Sequence, residues 1–259
     1  MQIDFHAQKN KATYTGRSPS REWRECLTGL VEVRDRFTAD IGCGDGIYAR
    51  ALAALGALHV YAVDFSTAML EAARETCTGI EAISFHQGTA MSTGLGDATC
   101  DVVLERAVIH HLNAYDPNFA ELFRILKPGG QVIIQDRTMA DVHQPPSIEH
   151  IRGYFFQVFP RLLETEGARR PEDAQVQQAL MGNGFTCVQS HTLWETRKIH
   201  LHKNALGDDL LQRTGRSLLH ALTDDELRQL VNHLQRHLPE GRLVEKDRWT
   251  LWTAERSVN

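Results

Sequence analysis

The chain is poor in the residues that staple a fold or insert it into a membrane. Its 259 residues include five cysteines, Cys26, Cys43, Cys77, Cys100 and Cys187. They are odd in number, scattered, and form no C-x-x-C pair, which argues against a disulfide framework or a zinc knot. No apolar run approaches the ~18 residues of a membrane span. Met1 to Lys11 is charged and lacks an apolar stretch, so no secretory signal is expected there. Positive charge is not in excess: 28 Lys+Arg against 33 Asp+Glu leave a net −5. A polyanion-binding surface is therefore not the default. Repeats and low-complexity tracts are absent too. The expectation is a cytoplasmic protein with reduced thiols, no membrane partner and no nucleic-acid partner, as a monomer or homodimer. Its 42% apolar and 24% charged residues are ordinary for a globular chain.

Between Phe37 and Asp136 the pattern alternates strand and helix. Strands are expected at Phe37–Ile41, Leu58–Val63, Glu81–His86, Asp101–Glu105 and Gln131–Asp136. Asp45 is placed to cap the first intervening helix and Ser66 the second, and Asp116-Pro117 reads as an N-cap followed by Pro at N1. Pro128-Gly129-Gly130 stops the fourth-strand helix before the fifth strand. Short strands joined by helices imply right-handed βαβ units and a mostly parallel sheet. Upstream, Pro19 to Val31 is helix-like. Downstream, Ser147–Leu163 is aromatic-rich and helical, Phe185–Ser190 and Arg248–Ala254 read as strands, and Thr223 with Glu226 forms a capping box.

Gly42-Cys43-Gly44-Asp45-Gly46 follows a strand and opens a helix, where glycines allow close backbone approach to a ligand. Asp64 ends the second strand, 20 residues after Gly44, where a carboxylate can accept from both hydroxyls of a ribose. Asp40 and Asp45 beside the loop disfavour a pyrophosphate, and the spacing is G-x-G-x-G rather than G-x-G-x-x-G. S-adenosylmethionine (SAM) carries no phosphate, and its sulfonium and ammonium welcome carboxylates.

Ala39-Asp40-Ile41-Gly42-Cys43-Gly44-Asp45-Gly46 resembles motif I of the class I SAM-dependent methyltransferases. Val63-Asp64-Phe65-Ser66 resembles their acidic ribose motif, and Arg124-Ile125-Leu126-Lys127-Pro128-Gly129-Gly130 the R-x-L-K-P-G-G turn of the small-molecule branch. The likeness covers about Phe37–Asp136. It implies a Rossmann-like α/β fold: seven strands, mostly parallel, helices on both faces, the last strand antiparallel, and a helical insertion before it. It also implies that Gly42 and Gly44 pass under the methionine, Asp40 orients its ammonium, Asp64 holds the ribose and Phe65 covers adenine. Cys43, Met69, Ala90, Met91 and Glu105 complete the implied cofactor set. Thr89 stands where the family usually has an acid, a departure that its hydroxyl or backbone groups could make good. Tyr14-Thr15-Gly16-Arg17 resembles a segment that some relatives fold over SAM, with Arg17 on the methionine carboxylate; a solvated terminus is the alternative.

Methyl transfer needs alignment and water exclusion, and a base only where the acceptor loses a proton. His110 and His111, in a stretch resembling the family's "HHL" segment, are the candidate catalytic residues, with a structural role as the alternative. Arg106 fits either a surface ion pair or an acceptor anchor. No metal site is expected, because His200-Leu201-His202 sits in a polar stretch and reads as solvated. Tyr154, Phe155, Phe156 and Phe159, with Trp194–Leu222, form the expected specificity region or else simply core. Arg197, Arg213 and Arg216 read as a mixed solvated face or as anchors for an anionic acceptor. The expected division is an N-terminal helical cover (1–36), a SAM-binding core (37–193 with 244–259) and a helical lid (194–243). The expected function is SAM-dependent methylation of a small molecule. A SAM-binding regulatory protein and an NAD(P)-dependent oxidoreductase are the alternatives.

Overall fold

The computed structural model describes residues 18–213 and 215–258. Seven strands form one sheet: β1 (Phe37–Ile41), β2 (His59–Asp64), β3 (Ile83–Gln87), β4 (Cys100–Arg106), β5 (Leu126–Asp136), β6 (Phe185–His200) and β7 (Leu243–Arg256). Their order is β3-β2-β1-β4-β5-β7-β6. The first five run parallel, while β7 runs antiparallel to both β5 and β6. This is the Rossmann-like arrangement expected from the sequence.

Strand alternation sends apolar side chains to two cores. One face is covered by α1 (Arg21–Leu30), α2 (Ile47–Ala54) and α3 (Thr67–Thr76), which bury Trp23, Leu52 and Leu70 against Val102, Leu104 and Ile133. The other is covered by α4 (Asp116–Ile125) and α8 (Asp173–Gly182), which bury Phe119, Leu122 and Leu180 against Val103, Val132 and Ile134. Ser20 and Ser66 cap α1 and α3 by accepting from the amides of Trp23 and Met69.

Several local expectations shift. Gly46, at φ 80°, takes the N-cap of α2 in place of Asp45, with no side-chain cap hydrogen bond. Tyr115, not Asp116, is the N-cap of α4. Pro128-Gly129-Gly130 lies within β5: Leu126 pairs with Cys100 and Gln131 with Val102, so the intervening residues bulge out. Ser147–Leu163 is not one helix but α6 (Arg152–Val158) followed, across Pro160, by α7 (Leu162–Gly167). β6 continues ten residues beyond Ser190, so Trp194–His200 belongs to the sheet, and helix resumes only at α9 (Lys203–Leu211) and α10 (Asp224–His237).

That extension shapes the molecule. Asp136, the last residue of β5, pairs with Thr250. Residues 243–249 of β7, paired with β6, therefore overhang the carboxyl end of β5 by about 23 Å at ~3.3 Å per residue. A third core sits on this overhang. It joins α5 (Met139–Val142), α6 and α7 to α9 and α10, burying Phe155, Phe156, Phe159, Leu210, Leu230 and Leu234. The aromatics expected at the specificity region are thus mostly interior to this cap. α10 starts with the expected capping box: Thr223 Oγ1 accepts from the Glu226 amide, and Glu226 accepts from the Thr223 amide. Thr223→Ala should cost about 1 kcal/mol. Urea denaturation checks it, and an unchanged midpoint would mean the box contributes nothing in solution.

Candidate active site

The chain steps outward from β1 to β2 and β3 on one side, and from β4 to β5 on the other. A crevice therefore opens where the carboxyl ends of β1 and β4 diverge, the usual ligand site of open α/β sheets. The glycine loop leaves β1 at this point and is pinned to β2. The Val63 carbonyl accepts from the amides of Gly42 (2.8 Å) and Cys43 (2.9 Å). The Asp64 carboxylate accepts from the amides of Gly44 and Ser66, each at 2.9 Å. At Gly42 (φ 70°) a Cβ would lie 2.4 Å from Val108 Cγ2, so the segment after β4 packs directly on the loop. At Gly44 a Cβ would meet none of the described residues within 4 Å: among them the loop leaves this edge open.

Carboxylates surround that edge. Asp40 is buried and its Oδ2 accepts no hydrogen bond among the described residues. Burial and the neighbouring Asp64 push its carboxyl up to about 7. A cation placed there would both partner Oδ2 and restore the carboxylate form. Phe65 and Met91 are exposed, although both are large and apolar. Phe65 follows β2 directly, and its carbonyl accepts from Gln87 Nε2 at the end of β3. Met91 sits in a tight turn closed by reciprocal Thr89–Ser92 backbone bonds. Those bonds use the Thr89 amide and carbonyl, leaving its hydroxyl as the group that could stand in for an acid. Cys43 and Met69 are buried behind this surface. Tyr14 and Arg17 lie outside the described residues.

Glu105 is placed differently from its neighbours in the implied set. The β1–β4 register pairs Asp40 with Leu104 and Ile41 with Glu105. Glu105 therefore projects from the opposite sheet face to Asp40. It is wholly buried and accepts from Asn118 Nδ2 (2.9 Å), which also donates to the Ala90 carbonyl (3.0 Å). Glu105 thus braces the turn after β3 from behind.

The two histidines part company. Nδ1 of His110 lies 2.8 Å from Asp136 Oδ2, and Asp136 also accepts from the His110 amide and, at 3.2 Å, from Arg170. Burial alone would raise the Asp136 carboxyl, but His110 and Arg170 hold it well below the usual carboxylate range. An ionised acid at Nδ1 fixes the ring and leaves Nε2 to accept a proton. Burial, the His110 ring and the guanidiniums of Arg169 and Arg170 lower His111 to about 4. The pair faces a cleft of about 310 Å³, lined also by Asn113, Tyr115, Arg169 and Arg170.

Three arginines read as surface or solvated groups are interior. Arg106 is held between the rings of Tyr48 (4.4 Å) and Trp249 (4.3 Å) and pairs with Glu195 at 2.8 Å. Glu195 also accepts from Gln135, which in turn accepts from Trp23 Nε1 of α1. Arg197 and Arg216 both pair with Glu245 on the overhang. Arg213 is the more open, pairing with Asp224. His200, expected to be solvated, is buried against Glu245 at 3.1 Å. Its ring and the carboxylates of Asp209 and Glu245 lie close enough to bind a metal. Both carboxylates, however, are already paired with Arg216. Asp136, Asn118, Arg169 and Arg170 are the residues sequence reasoning missed. Only Asp136, an acid ending a strand beside the histidines, carried a usable signal.

Burial, with Asp136 nearby, raises the Glu105 carboxyl from 4.5 to about 8. Between those values the unfolded chain ionises while the fold keeps its proton. Stability must therefore fall as pH rises across that window, relative to Glu105→Gln, by at most about 1.4 kcal/mol per pH unit. The gap should level off above about pH 8. Denaturation midpoints of both proteins across that range check this, and a constant gap would contradict it.

The methyltransferase-domain family model matches residues 39–134. A demethylmenaquinone methyltransferase of Clavibacter sepedonicus is 33% identical over 133 residues, 51% of this chain and 52% of that protein. A phosphoethanolamine N-methyltransferase of Triticum aestivum is 34% identical over 98 residues, 38% of this chain and 19% of that protein. The chain spans about half the length, or less, of the curated relatives it matches. Among solved structures, phosphoethanolamine N-methyltransferase 2 of Haemonchus contortus, in complex with phosphomonomethylethanolamine and S-adenosylhomocysteine, superposes with a TM-score of 0.62. That match has 19% identity over 99% of this chain and 61% of that one. The YcgJ protein of Bacillus subtilis gives 0.59 at 18% identity, over 90% and 97% of the two chains. Residues 39–134 are thus similar to the methyltransferase-domain family, and the sheet that carries them has the fold of these solved structures.

Proposed function

We propose that the protein transfers a methyl group from SAM to a small-molecule acceptor, with His110 as proton acceptor. The observation that carries this reading is the open edge of the glycine loop at Gly44, set between the carboxylates of Asp40 and Asp64. Those acids suit a ligand with two positive centres and a ribose diol. Asp40 would hold the ammonium, Asp64 the ribose, and Phe65 with Met91 the adenine faces, with Thr89 supplying its hydroxyl. Gly42, Cys43 and Gly44 bring the backbone close, while Met69, Ala90 and Glu105 support that wall from behind. When bound, SAM supplies a methyl carbon made electrophilic by its sulfonium.

The chain's own residues do the rest. The segment after β4 packs on the loop through Val108 and Gly42, and so places His110 two residues further on. Asp136 holds His110 by Nδ1, so Nε2 can take the proton that the acceptor loses as it attacks. The cap over the carboxyl ends of β4 and β5 excludes water and encloses the acceptor. Among the described residues no helix is long and apolar enough to cross a membrane. The cysteines are free, in keeping with a reducing compartment such as the cytoplasm.

Calorimetric titration with SAM and with NAD tests the cofactor. SAM should bind and NAD should not, and the reverse would overturn the reading. Asp64→Ala should weaken SAM on the order of tenfold or more, as loss of hydrogen bonds to a charged group does. With labelled SAM and a metabolite extract, His110→Gln should lower product formation by about 10² or more while leaving SAM affinity nearly unchanged. Unchanged turnover would remove His110 from the chemistry.

A further inference from the structure

Among the described residues Arg169 keeps a buried Nε–H without an acceptor. With Arg170 it lines the cleft beside His110. Two carboxylates stand behind it, Glu166 and Asp136, and both are wholly buried. Glu166 pairs with Arg169 and, at 2.5 Å, with Arg170, which also reaches Asp136. Arg169 leaves a quarter of its side chain open. These ion pairs therefore turn their positive ends to the cleft and hide their negative ends. Of its remaining polar lining, His111, Asn113 and Tyr115 also offer hydrogen-bond donors, and only Leu112 and Ala168 are aliphatic.

Resting on the methyl-transfer reading, we propose that the acceptor carries an anionic group, a phosphate or a carboxylate, which this cleft binds through the Arg169 guanidinium. An anion accepts from the open face of Arg169 and from the neighbouring donors, while the buried carboxylates are too deep to repel it at contact. A cationic acceptor would meet the guanidinium instead of its counter-ions. A wholly apolar one would desolvate four polar side chains without replacing their hydrogen bonds. The low proton affinity of His111 is due first to burial, and His110, Arg169 and Arg170 add to it by opposing a further positive charge there. The anion would lie beside His110, which ties acceptor anchoring to the proposed base.

The test uses the full chain saturated with S-adenosylhomocysteine, whose binding is measured first. Sodium phosphate, sodium acetate and, as a cationic control, tetramethylammonium chloride are titrated at equal ionic strength. The imidazole NMR signals of His110 and His111 are followed. Phosphate or acetate should shift both signals saturably, and the control should not; the tighter of the two anions identifies the acceptor's charged group. The apparent affinity should fall on the order of tenfold in Arg169→Gln and be largely kept in Arg169→Lys. No saturable shift with either anion, equal shifts with the control, or an unchanged Arg169→Gln would overturn the proposal. Binding of S-adenosylhomocysteine without an anion response rejects the anionic acceptor alone. Failure to bind S-adenosylhomocysteine rejects the methyl-transfer reading, and this inference with it.

Discussion

The end of β2 holds the site together. One carbonyl, of Val63, and one carboxylate, of Asp64, accept from four backbone amides: Gly42, Cys43, Gly44 and Ser66. These bonds set where the chain leaves β1, where α3 starts, and how closely Val108 can approach Gly42. A side chain at Gly42 would push the segment after β4 away, and His110 with it. The proposed cofactor wall and proposed base are therefore parts of one rigid corner. Asp64 holds this corner through the Gly44 and Ser66 amides.

The second structural element is the seam between sheet and cap. Glu245, Asp247 and Trp249 lie on one face of the β7 overhang, where a two-layer fold would place apolar residues. Arg137, Arg152, Arg197 and Arg216 meet the two acids there. Arg106 and Arg137 both lie against the Trp249 ring. Buried pairs of this kind add little net stability over an apolar isostere, because desolvation offsets the attraction. They do make the docking directional. The cap has its own apolar core, and charge pairing decides how it sits over the strand ends. Trp23 joins the same network through Gln135 and Glu195, so α1 and the cap share an anchor.

Much of the fold was legible because it rests on local rules. Apolar alternation, Ser66, the capping box at Thr223, and the glycines after β1 each report on a few neighbouring residues. The glycine loop and Asp64 were legible for the same reason, since both lie at predictable strand ends. The misreadings have one cause. Arg197, Arg216 and His200 look solvated in a polar stretch because their partners are distant in sequence. Glu245 lies 48, 29 and 45 residues from them. The ending of β6 was missed likewise: Trp194–His200 is a strand only because β7 returns beside it.

By itself the sequence determined a mostly parallel α/β sheet and a ligand loop suited to a cationic nucleoside, for which short-range spacing and strand-end position suffice. The count of seven strands and the histidine pair near the site came from the family resemblance. Only the tertiary structure decided that Glu105 faces away from Asp40, a consequence of alternation plus register. Only it joined Asp136 to His110 and put Arg169 and Arg170 at the cleft. Those contacts link the ends of β4 and β5 to the segment before α8, across 26 to 60 residues of chain. No local pattern encodes which of many charged side chains will meet once the chain has folded.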